Sequence, residues 1–104
     1  MKPIVFLGDS LERLREFPDR ARQQAGFELR RVQHGSEPSD WKPMKEVGSG
    51  VREIRIRSTG GAFRVLYVGT FGDAIYVLHA FQKKTQATPK KDLELAGLRL
   101  RLLR

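Results

Sequence analysis

The chain has 104 residues, no cysteine, two histidines, and twenty Lys/Arg against twelve Asp/Glu for a net charge of +8. Without cysteine there is no disulfide framework and no thiolate metal site, and His34 and His79 lie on different predicted elements, so neither a zinc site nor any other cofactor is expected. The length predicts one domain over residues 1–104 with a modest core.

The charge is uneven. Residues 1–51 carry nine Lys/Arg against eight Asp/Glu, and residues 52–104 carry eleven against four. A basic half of this kind attracts polyanions and speeds their encounter, which favours a nucleic-acid partner over a basic face kept for solubility. Charge alone does not separate RNA from DNA, or either from an acidic protein. The apolar run within Met1–Leu7 is too short for a signal peptide or a membrane span, so no membrane association and a cytoplasmic location are expected.

Pro3–Leu7 reads as a short strand. Asp9 or Ser10 then starts a helix, with Glu12 completing a capping box and Leu11, Leu14 and Phe17 on one face. Pro18 interrupts that helix, because it lacks an N–H and disfavours helix at the residue before it. A second helical segment follows, with Ala21, Ala25, Leu29 and Val32 as its apolar stripe and Gly35 as its stop, so residues 10–34 read as a broken helix or a helical hairpin lying on a sheet. Residues 35–50 are rich in Gly, Ser, Pro and Asp and read as a loop. Its apolar members Trp41, Met44 and Val47 plug the edge of the core, and stacking of Trp41 on a base is the alternative.

The stretch from Arg52 to Thr85 organises the rest. Arg52–Arg57 alternates apolar and charged residues, Phe63–Val68 and Ala74–Phe81 are apolar strands, and Gly60-Gly61 and Gly72-Asp73 supply tight turns. The pattern predicts an antiparallel meander. Ile54 and Ile56 share a face with Arg52, while Glu53, Arg55 and Arg57 share the other, so that second face is expected to be free of helices. Arg64, Tyr67, Tyr76, His79 and Phe81 belong to the same region. Arginine mixed with aromatic rings on an open sheet can hold phosphate and stack bases, although which side chains share a side depends on register. Thr88-Pro89 marks a helix start, with a capping hydroxyl and Pro at the first position. Leu93, Ala96 and Leu100 form that helix's apolar stripe, and Arg99, Arg101 and Arg104 keep its end basic.

Arg64-Val65-Leu66-Tyr67, Val77-Leu78-His79-Ala80-Phe81, Lys83-Lys84-Thr85, Thr88-Pro89 and Ala96 together resemble the phage-derived HigB-like toxins of the RelE superfamily, with Glu53 and Arg55 fitting the strand ahead of the hairpin. The resemblance runs from about Met44 to Ala96. It implies an α+β fold in which N-terminal helices pack on an antiparallel sheet meander, with a C-terminal helix. It also implies a type II toxin, a ribosome-dependent endoribonuclease cutting mRNA. A cognate helix-turn-helix antitoxin and a monomeric free state come with it.

Metal-free RNA cleavage requires deprotonation of a 2′-hydroxyl, stabilisation of charge on pentavalent phosphorus, and protonation of the leaving 5′-oxygen. Arg55 and Arg64 are the expected stabilisers, because a guanidinium can grip two phosphate oxygens. Lys83 or Lys84 can act as base where neighbouring cations depress the pKa. His79 has the right unperturbed pKa, and a packed polar residue is its other reading. Glu53 fits better as a support for an arginine than as a base. Arg57, Tyr67 and Phe81 are the candidate RNA contacts. Neither tyrosine nor histidine follows Phe81, unlike in some superfamily members, so the acid and base fall to lysine, arginine, Tyr67, Tyr76 or His79, or the ribosomal RNA assists. Two further readings stand beside the nuclease: a non-catalytic nucleic-acid-binding module, and an interaction protein whose basic face docks an acidic partner.

Overall fold

The computed structural model describes residues 1–70 and 72–103. The elements in chain order are β1 (Ile4–Phe6), α1 (Ser10–Arg15), α2 (Asp19–Gln33), β2 (Trp41–Pro43), β3 (Val51–Ser58), β4 (Gly61–Val68), β5 (Ile75–Lys83) and α3 (Lys90–Arg101). Arg104, expected to add charge to the C-terminal helix, lies outside the described residues.

The sheet has five strands in the order β1-β5-β4-β3-β2. The meander of β3, β4 and β5 is antiparallel as the alternation predicts, and β1 adds a parallel strand beside β5, so the sheet is mixed. The 35–50 stretch is not all loop: Trp41–Pro43 pairs antiparallel with β3 as an edge strand, too short for alternation to show and ended by a proline that only an edge tolerates. The first hairpin pairs Ser58 with Gly61, so its two-residue loop is Thr59-Gly60, one residue earlier than the Gly-Gly pair suggests. Gly61, at φ 127, opens β4 in a conformation that a side chain would strain.

Helices cover both faces. On one, α1 and α2 bring Leu14, Phe17, Ala21, Ala25, Leu29 and Val32 onto Ile54, Ile56, Phe63, Val65, Tyr67, Ile75 and Val77. The predicted helical stripes are therefore the core contacts. On the other, α3 sets Ala96 and Leu100 against Val51, Leu66, Val68, Leu78 and Phe81, with Met44 reaching in from the loop. The face expected to be free of helices is thus half covered. The strand alternation identifies a charged side but cannot show that α3, about forty residues later in sequence, folds back over its apolar end.

Two capping expectations give way to tertiary contacts. Asp9 is the N-cap of α1 but its carboxylate makes no cap hydrogen bond; it takes Arg13 Nε at 3.1 Å and Arg99 Nη2 at 2.5 Å instead. The N-cap of α3 is Pro89, and the Thr88 hydroxyl donates to Glu53 Oε2 at 3.0 Å. A further buried carboxylate, Glu28, fastens the loop to α2 by accepting from Ser39 N at 2.8 Å and Gln24 Nε2 at 2.7 Å.

Candidate functional site

Strand register decides which charged side chains meet. β3 and β4 pair Arg55 with Arg64 and Glu53 with Leu66, and β4 and β5 pair Arg64 with Phe81, Leu66 with His79 and Ala62 with Lys83. Residues directly opposite one another share a face. Glu53, Arg55, Arg57, Arg64, His79, Phe81 and Lys83 therefore all lie on the side that α3 partly covers. Pairing skips Leu78, a bulge that turns both Leu78 and His79 toward α3.

The uncovered end of this face is a cleft of about 700 Å³ lined by Arg57, Ser58, Gly61, Ala62, Arg64, Lys83, Lys84, Thr85 and Gln86. The strand end of β5 and the segment that leads to α3 form one wall, the β3–β4 hairpin the other. Arg64 is the buried member, 4 % exposed. Its Nη1 donates to Phe63 O at 2.9 Å, and its Nε lies 3.5 Å from Glu53 Oε1. Glu53 is itself 0 % exposed. Glu53 Oε1, Arg64 Nε and Arg55 Nε are buried with no hydrogen-bond partner. Buried donors of this kind are rare and need an explanation. Here two guanidinium groups stand side by side with one carboxylate between them and the α3 segment, an electropositive excess at the cleft.

The same crowding shifts proton affinities. Burial pushes the Arg64 guanidinium below its ordinary value, with Arg55 and Arg57 acting the same way and Glu53 opposing them. Burial also lowers the Lys83 ammonium, and the nearby charges of Arg64, Lys42 and Arg55 lower it further against the pull of Glu53. A lysine so placed holds a larger neutral fraction than a free one, the condition set above for a lysine base.

The remaining candidates are not at the cleft. His79 is 1 % exposed; its Nε2 lies 2.7 Å from Asp92 Oδ1 on α3, and its ring stacks on Phe81 at 5.2 Å. Burial lowers its pKa against the opposing pull of Asp92. The geometry makes it a bridge from β5 to α3, out of reach of a phosphate in the cleft. Phe81, 7 % exposed, is packed into the α3 cluster and has no open face for a base. Tyr67 is on the opposite side of the sheet, 3 % exposed under α2, so it is corrected from RNA contact to core. Its burial raises the phenol pKa. The physical reason is parity: Tyr67 is three residues from Arg64, and an odd separation reverses the face. Trp41 holds the Arg52 guanidinium 4.1 Å from its ring centroid, which is packing and not base stacking.

The chain matches the family model "Phage derived protein Gp49-like (DUF891)" over residues 12–101. It belongs to this phage-derived, Gp49-like family. The match runs from α1 through α3 and so takes in every strand of the cleft. The Gp49-like family is toxin-like, which agrees with the α+β architecture and with the coarser part of the resemblance drawn from the strand motifs. No curated protein gives a significant match. No helix among the described residues is long and apolar enough to cross a membrane.

Sequence reasoning missed two members of this site. Thr88 reads in the sequence as a helix cap, although its hydroxyl reaches a carboxylate 35 residues away. Lys42 pairs in register with Glu53, which puts it on the cleft's side of the sheet. Its three-residue strand sits in a stretch whose composition reads as loop, and no local signal marks it.

Proposed function

We propose that this Gp49-like protein is the toxin of a type II toxin–antitoxin pair, of the HigB-like kind, and an endoribonuclease that cuts mRNA on the ribosome. The observation that supports this most is the buried Arg64 guanidinium in the lining of an open cleft with Arg57, Lys83 and Lys84, and Arg55 directly opposite it on β3. A phosphodiester seated there lies against Arg64, which lines the cleft and is held by Glu53 and Phe63 O, and a cation held in place stabilises charge that develops in the transition state without reorganising. In the proposed reaction the 2′-oxygen bonds to phosphorus while the bond to the 5′-oxygen breaks. Arg64 and Arg55 hold the non-bridging oxygens. The neutral fraction of Lys83 accepts the 2′-hydroxyl proton, and the 5′-oxygen takes a proton from a cation of the cleft, with the Lys84 ammonium on the same wall. Glu53 orients Arg64 and is itself held by Thr88.

A cleft lined by cations, with His79 held away from it against Asp92, positions phosphate well but has few proton acceptors. That balance supports dependence on the ribosome, whose RNA completes the site. It also keeps a second reading in play: a module that binds RNA without cutting it. The helix-turn-helix antitoxin, a monomeric free state and a cytoplasmic location belong to this proposal through the family resemblance.

Primer extension on a reporter mRNA after induction in cells, wild type against Arg64→Ala, tests it. New 5′ ends within translated codons in the wild type, absent in a variant that still accumulates as folded protein, are expected. Growth arrest with no new 5′ ends overturns the nuclease reading in favour of binding alone.

A further inference from the structure

The cations of the cleft do not stop at its rim. Register places Lys42 of β2 opposite Glu53 of β3, Arg55 of β3 opposite Arg64 of β4, and Lys83 of β5 opposite Ala62 of β4, all on one face. Neighbouring strands lie about 4.8 Å apart and successive residues about 3.3 Å apart along a strand, so Lys42, Arg55, Arg64 and Lys83 form an oblique file across four strands, stepping from the level of Glu53 to that of Arg57, about 20 Å from end to end. Lys42 is half-buried, and its side chain makes no hydrogen bond or ion pair among the described residues. The carboxylate opposite it, Glu53, is turned instead to Arg64 and Thr88. Lys42 is near enough to the cleft for its charge to act on Lys83.

We infer that single-stranded RNA leaves the cleft over the β2 edge and that Lys42 holds a phosphate beside the scissile one. The inference rests on the nucleic-acid reading above. A file of point charges with no exposed apolar anchor between them suits a phosphate chain; a protein partner needs an apolar centre to bury, and Phe81, the ring opposite Arg64 on this face, is already enclosed in the α3 cluster, while Trp41 is on the other face under Arg52. A single file suits one strand, because the two phosphate rows of a duplex are separated by the width of a groove.

The test is equilibrium binding of uncleavable, 2′-O-methylated RNA to the full chain, measured by fluorescence anisotropy across a salt series. One RNA is long enough to cross the sheet and the other is a dinucleotide confined to the cleft. Losing one phosphate contact lowers the salt slope by about 0.7 for a single strand. Lys42→Gln is expected to show that change with the long RNA and to weaken its binding about threefold at moderate salt. It leaves dinucleotide binding unchanged. Arg20→Gln, an exposed cation of α2 on the opposite side of the sheet, leaves both slopes unchanged. A wild-type slope for Lys42→Gln on the long RNA overturns the inference, and so does an equal loss on the dinucleotide, which would make Lys42 a remote influence on Lys83. If the wild-type protein binds neither RNA, the nucleic-acid reading itself fails and the inference falls with it, a result separate from the other two.

Discussion

Replacing Glu53 with Gln removes the carboxylate that is ion-paired with the buried arginine. Two unit charges at the 3.5 Å separating Arg64 Nε from Glu53 Oε1 attract by about 5 kcal/mol at an effective dielectric of about 20. That figure is not the net contribution of the pair, because both groups were taken out of water to make it. The lowered Arg64 pKa carries the same message: burial outweighs the attraction of Glu53. The pair as a whole therefore adds little to stability, but breaking it strands a buried cation. Glu53→Gln is expected to destabilise the fold by about 3 kcal/mol. For a chain of this size that is a fall in Tm of about 12–20 °C. Arg64→Met in the same chain removes the stranded charge, so the double variant is expected to recover about 2 kcal/mol of the loss. Urea denaturation of wild type, both single variants and the double variant at one ionic strength measures the coupling. If Glu53→Gln loses the same stability with and without Arg64, within about 0.5 kcal/mol, Glu53 does not support that arginine and its assigned role is wrong.

The His79–Asp92 bridge makes a pH-dependent contribution. Burial holds the His79 pKa below its ordinary 6.5, so the folded state binds fewer protons than the unfolded chain. Stability is then fully present above about pH 6.5 and is lost as pH falls toward the lowered folded-state value, with a slope of at most about 1.4 kcal/mol per pH unit. Thermal unfolding from neutral to mildly acidic pH is expected to show a steeper decline in the wild type than in His79→Gln; parallel curves would count against a buried neutral imidazole. Gly8, at φ +55, leaves room for Arg99, whose guanidinium would lie 2.5 Å from an added Cβ. Gly8→Ala is expected to destabilise by about 1–2 kcal/mol through the backbone conformation alone. Displacing Arg99 from Asp9 and Leu78 O adds to that loss. Tm shifts for Gly8→Ala in wild-type and Arg99→Leu backgrounds separate the two parts, and equal shifts would remove Arg99 from the account.

The elements whose signals are local were legible. The stripe Ala21, Ala25, Leu29 and Val32 repeats at helical spacing and is buried as a stripe, and Gly35 ends α2 at φ 89. The alternation in β3 and the apolar runs of β4 and β5 give the meander, because side-chain direction in a strand follows from parity alone. Parity also separated Tyr67 from Arg64, although proximity in sequence had put them together. The cleft was legible as residue types, Arg57, Arg64, Lys83 and Lys84, and not as a place. His79 and Phe81 belong to the same motif yet are enclosed, because α3 settles over one half of the face and leaves the other bare.

Where a side chain has a local and a distant option, sequence shows only the local one. Asp9 and Thr88 both read as helix caps, since a cap needs only a short polar side chain at the right offset. Each serves a distant partner instead, Arg99 in one case and Glu53 in the other, because a buried charge left unpaired is more unfavourable than a helix end that water can reach. The sequence by itself determined the helices, the meander, the basic half of the chain and the residue types that can hold a phosphate. The tertiary structure alone decided which of those residues share a face, which are buried under α3, and that Lys42 joins them. Those outcomes depend on strand register, one bulge and the docking of a helix, contacts between residues far apart in the chain that no local pattern encodes.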